Sequence, residues 1–342
     1  MGELRWSGGL GLPVFYALMP AIHDRQTGGS IYNRQMLDHL AKSTPIELYL
    51  DGPGTDYSRW PGGLWLVDSL CLERGATHLA HCPGASGVLI AHYLEILDPR
   101  RQDSARAAAE AALLNRYRAV VTTSRFAQRA LMAAGFEGAV VAIPPGLAPE
   151  YRSPVQRRRA AEKAAIVTIA SIVPAKGLME MLDALIQLSD LDWTWEVIGD
   201  AALDAAFADR FRDRVGRSPV SRRISMRGAL AAAAIMDVYD RSDLFALPSR
   251  FETCSMATME AMARGLPVAA FQVGGLPDLL PEVSRQALIP PGDAAGWVQI
   301  LRRLLSSADE RRHLGEANRQ ASASFPSWGD SGRALESFLS RP

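Results

Sequence analysis

Two glutamates, Glu252 and Glu260, stand eight positions apart in the stretch LPSRFETCSMATMEAMARGLPVAA. The first precedes, and the second lies inside, a run of small and apolar residues that predicts a helix from about Ser255 to Gly265. Glu260 would then be partly buried, which costs free energy unless hydrogen-bond partners are supplied. Vicinal hydroxyls, as in a ribose, suit this need because one carboxylate can accept from both. The alternative is a helix cap and a solvated surface charge.

Two other segments carry residue types that suit an anion. Gly28 and Gly29 let the backbone approach a ligand closely, and Ser30 is predicted to begin a helix whose free amides and dipole favour negative charge. In VPAKGLMEML, Lys176 precedes Gly177 and an amphipathic helix, so its charge would add to the field that holds a phosphate. Ordinary solvated turns also contain such residues, and both interpretations stay open at this point.

A fourth loop and a histidine complete the candidates. Gly274 and Gly275 precede a predicted helix in FQVGGLPDLL, and we expect this loop and the Glu252 loop to line a phosphate-binding wall between two domains. His92 ends the predicted strand GVLIAH, where its side chain would point into the cleft between those domains. A lone histidine at a strand end is equally compatible with a structural role.

The elements that must position these residues are short apolar runs alternating with helix-length segments. This alternation predicts parallel sheets wrapped by helices, with ligands bound beyond the carboxyl ends of the strands. The predicted strands are 14–19, 46–50, 64–67, 87–92, 119–124, 139–146, 165–171, 194–199, 223–228, 244–249, 267–271 and 287–292. They form two αβ halves in series.

The length of 342 residues also favours two domains over one. We predict a first domain over 1–148, an exposed linker rich in Pro, Arg and Glu over 149–163, and a second domain over 164–325. An amphipathic helix over 326–342 can pack back on the first domain. The arginine run at 157–159 in the linker is either solvated or a phosphate-binding patch.

The composition excludes several classes of function. With 37 basic and 37 acidic side chains the chain shows no overall nucleic-acid signature, so no nucleic-acid partner is expected. Three cysteines without a C-x-x-C pair or histidine-rich spacing indicate free thiols rather than a disulfide framework or a metal site. No window of eighteen uninterrupted apolar residues occurs. We therefore expect a soluble cytoplasmic protein, with peripheral contact at the inner face of the membrane as an open possibility.

Taken together and in this order, the motifs resemble the retaining glycosyltransferases of family 4. The resemblance covers nearly the whole chain: the glycine pair, HYLEIL, VVTTS, IPPGL, VPAKG, ALPSRFETCSMATMEAMARGLPV and VGGLPDLL. It implies the GT-B fold, in which two Rossmann-like domains with parallel sheets face a central cleft. The Glu-x7-Glu element is its most specific part.

The resemblance also implies roles for individual residues. Glu252 would bind hydroxyls of the donor sugar, Glu260 the donor ribose, and Lys176 the diphosphate, with help from backbone amides near Ser255 and Met256. Gly28 and Gly29 would shape the cleft beside the diphosphate and the acceptor, and His92 would lie near the reacting sugar. His92, Lys176 and Glu252 are thus the expected catalytic residues. The implied reaction is retaining sugar transfer from a UDP- or GDP-linked donor, without a metal or other cofactor, to a lipid, glycan or small-molecule acceptor.

The chain departs from this family pattern around the phosphates. An arginine that commonly accompanies the lysine is replaced, since the corresponding positions are Ala170, Ser171 and Ala175. Arg250 or another arginine would have to substitute for it. Thr253 and Cys254 replace a glycine and an aromatic residue, and Asp278 a glutamate.

Three other interpretations remain. A GT-B protein with weakened catalysis that acts as a binding or partner subunit fits the replaced arginine, whereas Glu252, Glu260 and Lys176 argue against it. A sugar-nucleotide epimerase or a phosphorylase on the same fold would carry different residues in the cleft. A dinucleotide-dependent oxidoreductase is disfavoured because no G-x-G-x-x-G opens a helix after the first strand.

Overall fold

The computed structural model describes residues 14–52, 55, 59–153, 155 and 163–340. The chain divides into two units, one formed by Met1–Gly146 with Pro326–Pro342 and the other by Leu147–Phe325. Each contains a six-stranded sheet flanked by helices. The predicted α/β class with two Rossmann-like sheets is confirmed.

The first unit contains six parallel strands, and the central residues of the four inner strands are buried and apolar, as parallel strands covered on both faces require. The order across the sheet is β2-β1-β3-β4-β5-β6. The bounds are β1 Phe15–Pro20, β2 Ile46–Asp51, β3 Gly63–Asp68, β4 Ala85–Ala91, β5 Ala119–Thr122 and β6 Ala139–Ala142.

The described residues of this unit form five α-helices: α1 Gly28–Leu40, α2 Leu72–His81, α3 Ala105–Leu114, α4 Arg125–Ala133 and α12 Trp328–Leu339. Helix α12 begins with a capping box in which the side chains of Ser327 and Asp330 each accept from the other residue's backbone N–H. It packs against α1, and the hydroxyl of Ser331 donates to the carbonyl of Pro144 at 2.7 Å. The last helix therefore belongs to the core of the first unit.

The second unit repeats the architecture with strands in the order β12-β11-β10-β7-β8-β9, all paired in parallel. The carboxyl ends of β11, β10 and β7 are therefore neighbours, which decides which loops can meet. The bounds are β7 Ala164–Ile169, β8 Trp193–Ile198, β9 Ile224–Met226, β10 Leu244–Leu247, β11 Val268–Phe271 and β12 Leu288–Ile289. All twelve predicted strands are present.

The helices of the second unit cover both faces of this sheet in the usual αβ alternation. They are α5 Leu178–Gln187, α6 Ala205–Arg217, α7 Ala232–Arg241, α8 Met256–Ala263, α9 Leu276–Leu279, α10 Ala294–Ser306 and α11 Ala308–Ser322. Two tryptophans of β8, Trp193 and Trp195, are fully buried in the core between them.

The beginning of the predicted linker, residues 149–153, is exposed as expected, with the exception of Tyr151. Residues Pro149–Arg152 form a short 3-10 helix of the second unit, and the Tyr151 side chain is only 5% exposed. The guanidinium of Arg264 donates to the carbonyls of Tyr151 and Ser153 at 3.3 and 2.9 Å, which holds this segment against the unit. The arginine run at 157–159 lies outside the described residues.

Every helix within the described part of the chain is too short or too polar to cross a lipid bilayer.

Candidate functional site

Lys176 and Glu252 form an ion pair at the carboxyl ends of adjacent strands. Lys176 follows β7 and Glu252 follows β10, and Lys176 Nζ lies 2.7 Å from Glu252 Oε1. The Glu252 side chain is 8% exposed and the Lys176 side chain 25%. Two predicted site residues that are 76 positions apart in the sequence are therefore in direct contact.

The backbone beside Lys176 explains the glycine that follows it. Gly177 has φ +66°, and a Cβ at this position would lie 1.9 Å from the carbonyl oxygen of Pro248. A side chain is excluded on both counts, since positive φ favours glycine and the contact is too short. The N–H of Arg250 also donates to the carbonyl of Ala175 at 2.8 Å. The loops after β7 and β10 are thus joined main chain to main chain.

The predicted Gly274–Gly275 loop holds the same glutamate from the other side. The N–H of Gly275 donates to the carbonyl of Glu252 at 2.9 Å. Gly274 has φ +52°, and a Cβ there would lie 1.8 Å from the Glu252 carbonyl oxygen. The loops after three neighbouring strands, β7, β10 and β11, therefore meet at Glu252.

Helix α8 begins where the sequence predicts, with Ser255 as its N-cap. The Ser255 Oγ accepts from the N–H of Thr258 at 3.3 Å and from the Thr258 hydroxyl at 2.9 Å. The first amides of an α-helix, here those of Met256 and Ala257, have no carbonyl partner within the helix. They and the helix dipole make this end of α8 suitable for an anion.

Glu260 lies in the second turn of α8, partly buried as predicted, and two tyrosine hydroxyls hold its carboxylate. The Tyr239 hydroxyl is 3.1 Å from Glu260 Oε2, and Tyr151 donates to the same carboxylate. Burial raises the pKa of Glu260 to about 7, although the tyrosine hydrogen bonds oppose this shift. Glu260 is therefore poised to change its charge near neutral pH.

Arg264, at the end of α8, is a buried arginine that sequence reasoning missed. Its side chain is 2% exposed and makes a two-pronged pair with Asp240 of α7, both contacts at 2.6 Å. Its other donors reach the backbone around Tyr151. Arg264 therefore ties the segment that carries Tyr151 to the helix that carries Glu260. The signal available in the sequence was a single arginine within an otherwise small and apolar helix.

Arg250, considered as a substitute for the replaced arginine, is paired elsewhere. Its guanidinium donates to Glu180 Oε1 at 2.6 and 3.1 Å, and its side chain is 57% exposed. In this structure the cation in contact with Glu252 is Lys176.

The glycine pair of the first unit corrects one expectation, because helix α1 begins at Gly28 rather than at Ser30. Thr27 is the N-cap, and its Oγ1 accepts from the N–H of Ser30 at 3.2 Å. Gly28 and Gly29 are thus the first helical residues. A Cβ on Gly29 would lie 3.2 Å from Cδ2 of His92, so these two predicted site residues pack directly on each other.

His92 follows β4 and belongs to a hydrogen-bonded group that the sequence did not reveal. Its Nε2 is 2.8 Å from Asn33 Oδ1, and Asn33 Nδ2 donates to Asp68 Oδ2 at 2.6 Å. Asn33 and Asp68 are 0% and 2% exposed. Asp68 could have been found by the strand-end rule, since it directly follows the apolar run 64–67.

Each unit thus gathers part of the predicted set. The second unit brings together the Lys176–Glu252 pair and the first turns of α8 with Ser255, Met256 and Glu260. The first unit brings together Gly29 and His92.

Comparison with known proteins places this geometry in a family context. The curated relatives are similar over part of the chain. A sulfoquinovosyl transferase of Arabidopsis thaliana is 36% identical over 101 residues, 29% of this chain and 20% of the relative. A D-inositol 3-phosphate glycosyltransferase of Corynebacterium efficiens is 27% identical over 179 residues, 51% of this chain and 42% of the relative. The chain therefore spans less than half the length of these two relatives.

A solved structure extends the likeness in fold to nearly the whole chain. Anabaena HepE in complex with UDP and glucose superposes with a TM-score of 0.76 at 17% identity, covering 97% of this chain and all of that one. The model of the family "Glycosyl transferases group 1" matches residues 152–321, which contain Lys176, Glu252 and Glu260. Residues 152–321 therefore match the glycosyl transferases group 1 family, within a chain that has the GT-B fold.

Proposed function

We propose that this protein is a retaining glycosyltransferase that moves a sugar from a nucleoside diphosphate sugar to a hydroxyl acceptor. The observation that carries the proposal is the cluster at the carboxyl ends of β7, β10 and β11. There a lysine, a buried glutamate and the amino end of α8 meet, with Glu260 two turns inside that helix. The group 1 family match over the same residues supports it.

The roles follow from the chemistry of each group. Lys176 and the amides of Ser255 and Met256 provide positive charge and N–H donors for the diphosphate. Glu260 offers carboxylate oxygens to the two ribose hydroxyls, and Glu252 accepts from hydroxyls of the transferred sugar. For Gly29 and His92 of the first unit, we propose contact with the acceptor and with the reacting sugar, respectively.

The chemical step needs no protein nucleophile. As the anomeric C–O bond breaks, the bonding electrons pass to the diphosphate, where Lys176 and the α8 amides stabilise the developing charge. The acceptor hydroxyl forms the new C–O bond on the face that the diphosphate leaves, and its proton passes to a diphosphate oxygen. Because Lys176 carries the compensating charge, we propose that the reaction proceeds without a resident metal ion.

The Lys176–Glu252 contact has a consequence for this step. While Lys176 donates to Glu252, the two opposite charges compensate each other. A bound diphosphate would draw the ammonium toward itself, which frees Glu252 Oε1 to accept from a sugar hydroxyl. Donor binding would therefore complete the site by exchanging one charge-assisted hydrogen bond for two.

We propose a UDP-linked donor first and a GDP-linked donor second, since the similar Anabaena structure holds UDP and glucose. The acceptor class, whether lipid, glycan or small molecule, is left open, as is peripheral contact with the inner face of a membrane. A cytoplasmic location remains part of the proposal.

Titration calorimetry of the purified protein with UDP, GDP and ADP tests the donor half of the proposal. We expect one of them to bind, and the Glu260→Gln variant to bind it more weakly. The absence of binding by all three at millimolar concentration would refute a nucleotide-sugar site. Incubation with the matching donor, followed by NMR of the anomeric proton in the product, then tests retention. Measurable donor consumption also separates an active enzyme from the binding-subunit alternative.

A further inference from the structure

The hydrogen bonds around His92 determine the protonation of its imidazole ring as well as the position of the ring. His92 Nε2 is 2.8 Å from Asn33 Oδ1, and Asn33 Nδ2 is 2.6 Å from Asp68 Oδ2. The direct separation between His92 Nε2 and Asp68 Oδ2 is 3.6 Å, which is too long for a hydrogen bond. Asn33 therefore connects the histidine to the carboxylate.

The Asp68 carboxylate sets the direction of both hydrogen bonds that link Asp68 to Asn33 and Asn33 to His92. An ionised Asp68 can only accept, and its other oxygen already accepts from the N–H of Leu70 at 2.7 Å. The amide nitrogen of Asn33 must therefore face Asp68, which turns the Asn33 carbonyl oxygen toward His92. A carbonyl oxygen can only accept, so Nε2 of His92 must carry the proton.

The surroundings of the ring preserve this arrangement. Gly29 lies against one side of the imidazole, where even a methyl group would be 3.2 Å away, and Tyr32 meets it edge-on with ring centroids 5.3 Å apart. Burial lowers the pKa of His92, which favours the neutral ring, and the charge of Asp68 opposes this only in part. A neutral ring with the proton on Nε2 has its lone pair on Nδ1.

We propose that Asn33 and Asp68 are positioning residues that hold His92 in its Nε2–H tautomer, so that the hydrogen-bond acceptor of the ring is Nδ1. This inference rests on the proposed function for its purpose, because a sugar site is where such an acceptor would be used. The tautomer itself follows from the contacts of the first unit alone. Its test can therefore succeed or fail independently of nucleotide binding.

The decisive variant is Asp68→Asn. It reverses the direction of these two hydrogen bonds while the side chain of residue 68 keeps its shape. The new amide keeps one oxygen for the N–H of Leu70 and presents its NH2 group to Asn33. Asn33 must then turn its own oxygen toward residue 68 and its NH2 group toward His92. Nε2 becomes the acceptor, and the proton moves to Nδ1.

Two-bond ¹H–¹⁵N NMR of the histidine rings, recorded near pH 8.5 where ordinary imidazoles are neutral, distinguishes the two tautomers. We expect His92 as Nε2–H in the wild type and as Nδ1–H in Asp68→Asn, with His92→Gln assigning the signal. His81 is an internal control, because its Nδ1 lies 2.8 Å from the carbonyl of Thr77 and should carry the proton in both proteins.

The functional arm uses the same proteins with the donor identified by calorimetry. Nucleotide affinity, which depends on the second unit, should be unchanged in Asp68→Asn, whereas sugar transfer should fall about ten- to hundredfold. If the wild type binds no nucleotide, the proposed function fails while the NMR result still decides the tautomer. A His92 signal that stays Nε2–H in Asp68→Asn, or is Nδ1–H in the wild type, would overturn the inference.

A second variant keeps the inference testable if Asp68→Asn does not fold. Asn33→Leu removes the link while leaving Asp68 and its contact with Leu70 in place. We expect the His92 ring to lose its single tautomer and to show averaged ring-nitrogen shifts. An unchanged Nε2–H signal in a folded Asn33→Leu protein would equally contradict the inference.

Discussion

The ammonium of Lys176 lies 2.7 Å from a carboxylate oxygen of Glu252, although each residue belongs to a different loop of the second unit. Three adjacent strands end at this point, and their loops are held together by main-chain hydrogen bonds. A preformed ion pair of this kind lets the protein keep an almost buried carboxylate before any donor is bound. The donor then has to compete for the lysine.

The two members of this pair should have different effects when they are replaced. Lys176→Met leaves Glu252 without its cation, and we expect a loss of about 1–3 kcal/mol in unfolding free energy, because the lysine is partly solvated. It should also weaken UDP binding about ten- to hundredfold. Glu252→Gln should keep UDP affinity close to that of the wild type and lower turnover. Urea unfolding, calorimetry and donor consumption measure the three quantities.

Arg250→Met is the matched control, since its pair with Glu180 is exposed and should contribute less than about 1 kcal/mol. A loss of UDP affinity as large as that of Lys176→Met would show that Lys176 has no special role in holding the diphosphate.

Gly177 and Gly228 allow the cost of backbone strain at positive φ to be compared with and without a steric clash of an added Cβ. Both have φ +66°, but a Cβ on Gly177 would lie 1.9 Å from the Pro248 carbonyl oxygen, whereas a Cβ on Gly228 would meet nothing within 4 Å. We expect Gly228→Ala to cost about 1 kcal/mol from backbone strain alone. Gly177→Ala should cost more and should also displace Lys176, so that UDP binding weakens. Equal melting temperatures and equal UDP affinities for the two variants would contradict the close approach of the two loops.

The raised pKa of Glu260 predicts two opposite dependences on pH. Since the folded-state pKa of about 7 exceeds the ordinary value of 4.5, the folded protein binds the proton more tightly than the unfolded chain. The stabilisation from Glu260 is therefore complete below about pH 4.5 and is lost as pH rises toward about 7. Nucleotide affinity should change in the other direction, because the charged carboxylate is the stronger acceptor for ribose hydroxyls.

Glu260→Gln is the matched control for both dependences. The amide has no titration in this range, so its unfolding free energy should lose the fall between about pH 4.5 and 7 that the wild type shows. Its nucleotide affinity should be lower and nearly constant with pH. Parallel profiles for the two proteins, by denaturant unfolding and by calorimetry from about pH 4 to 8.5, which spans the ordinary and the raised pKa, would remove Glu260 from the ribose site.

Arg264 should be the most costly arginine of the second unit to replace. Arg264→Leu leaves Asp240 without its partner and several backbone carbonyls without a donor, so we expect a loss of about 3–5 kcal/mol in unfolding free energy. The exposed Arg312, paired with Asp309, is the comparison, and Arg312→Leu should cost at most about 0.5 kcal/mol. Denaturant unfolding of the two variants checks this difference. Similar losses would mean that the buried network does not hold the Tyr151 segment.

The strands were the part of the fold that the sequence predicted best, for a physical reason. Parallel strands that are covered on both faces appear as continuous apolar runs, and all twelve such runs are strands. The start of α1 was placed two residues late, because glycine argues against a helix while the capping oxygen of Thr27 favours one. The burial of Tyr151 within the otherwise exposed 149–153 segment was not predicted, because Arg264, which holds this segment, is more than 100 positions away.

The candidate site was likewise predicted in part from the sequence. Glu252, Glu260 and Lys176 were predicted from local motifs next to strand ends, which a linear pattern can show. Their partners were not, because the contacts of Tyr239 with Glu260 and of Asn33 with His92 exist only after the chain has folded. The roles of all these residues as ligand contacts stay predictions that the experiments above address.

The main-chain connections around Glu252 have a consequence for protein engineering. The loop after β10 is held through the N–H of Arg250 and the carbonyl of Glu252, neither of which depends on side-chain identity. Randomised libraries at Thr253 and Cys254 should therefore contain many folded members, provided that Gly177, Gly274 and Pro248 are retained. Under the proposed function, selection from such libraries would identify variants with a changed preference for the donor sugar.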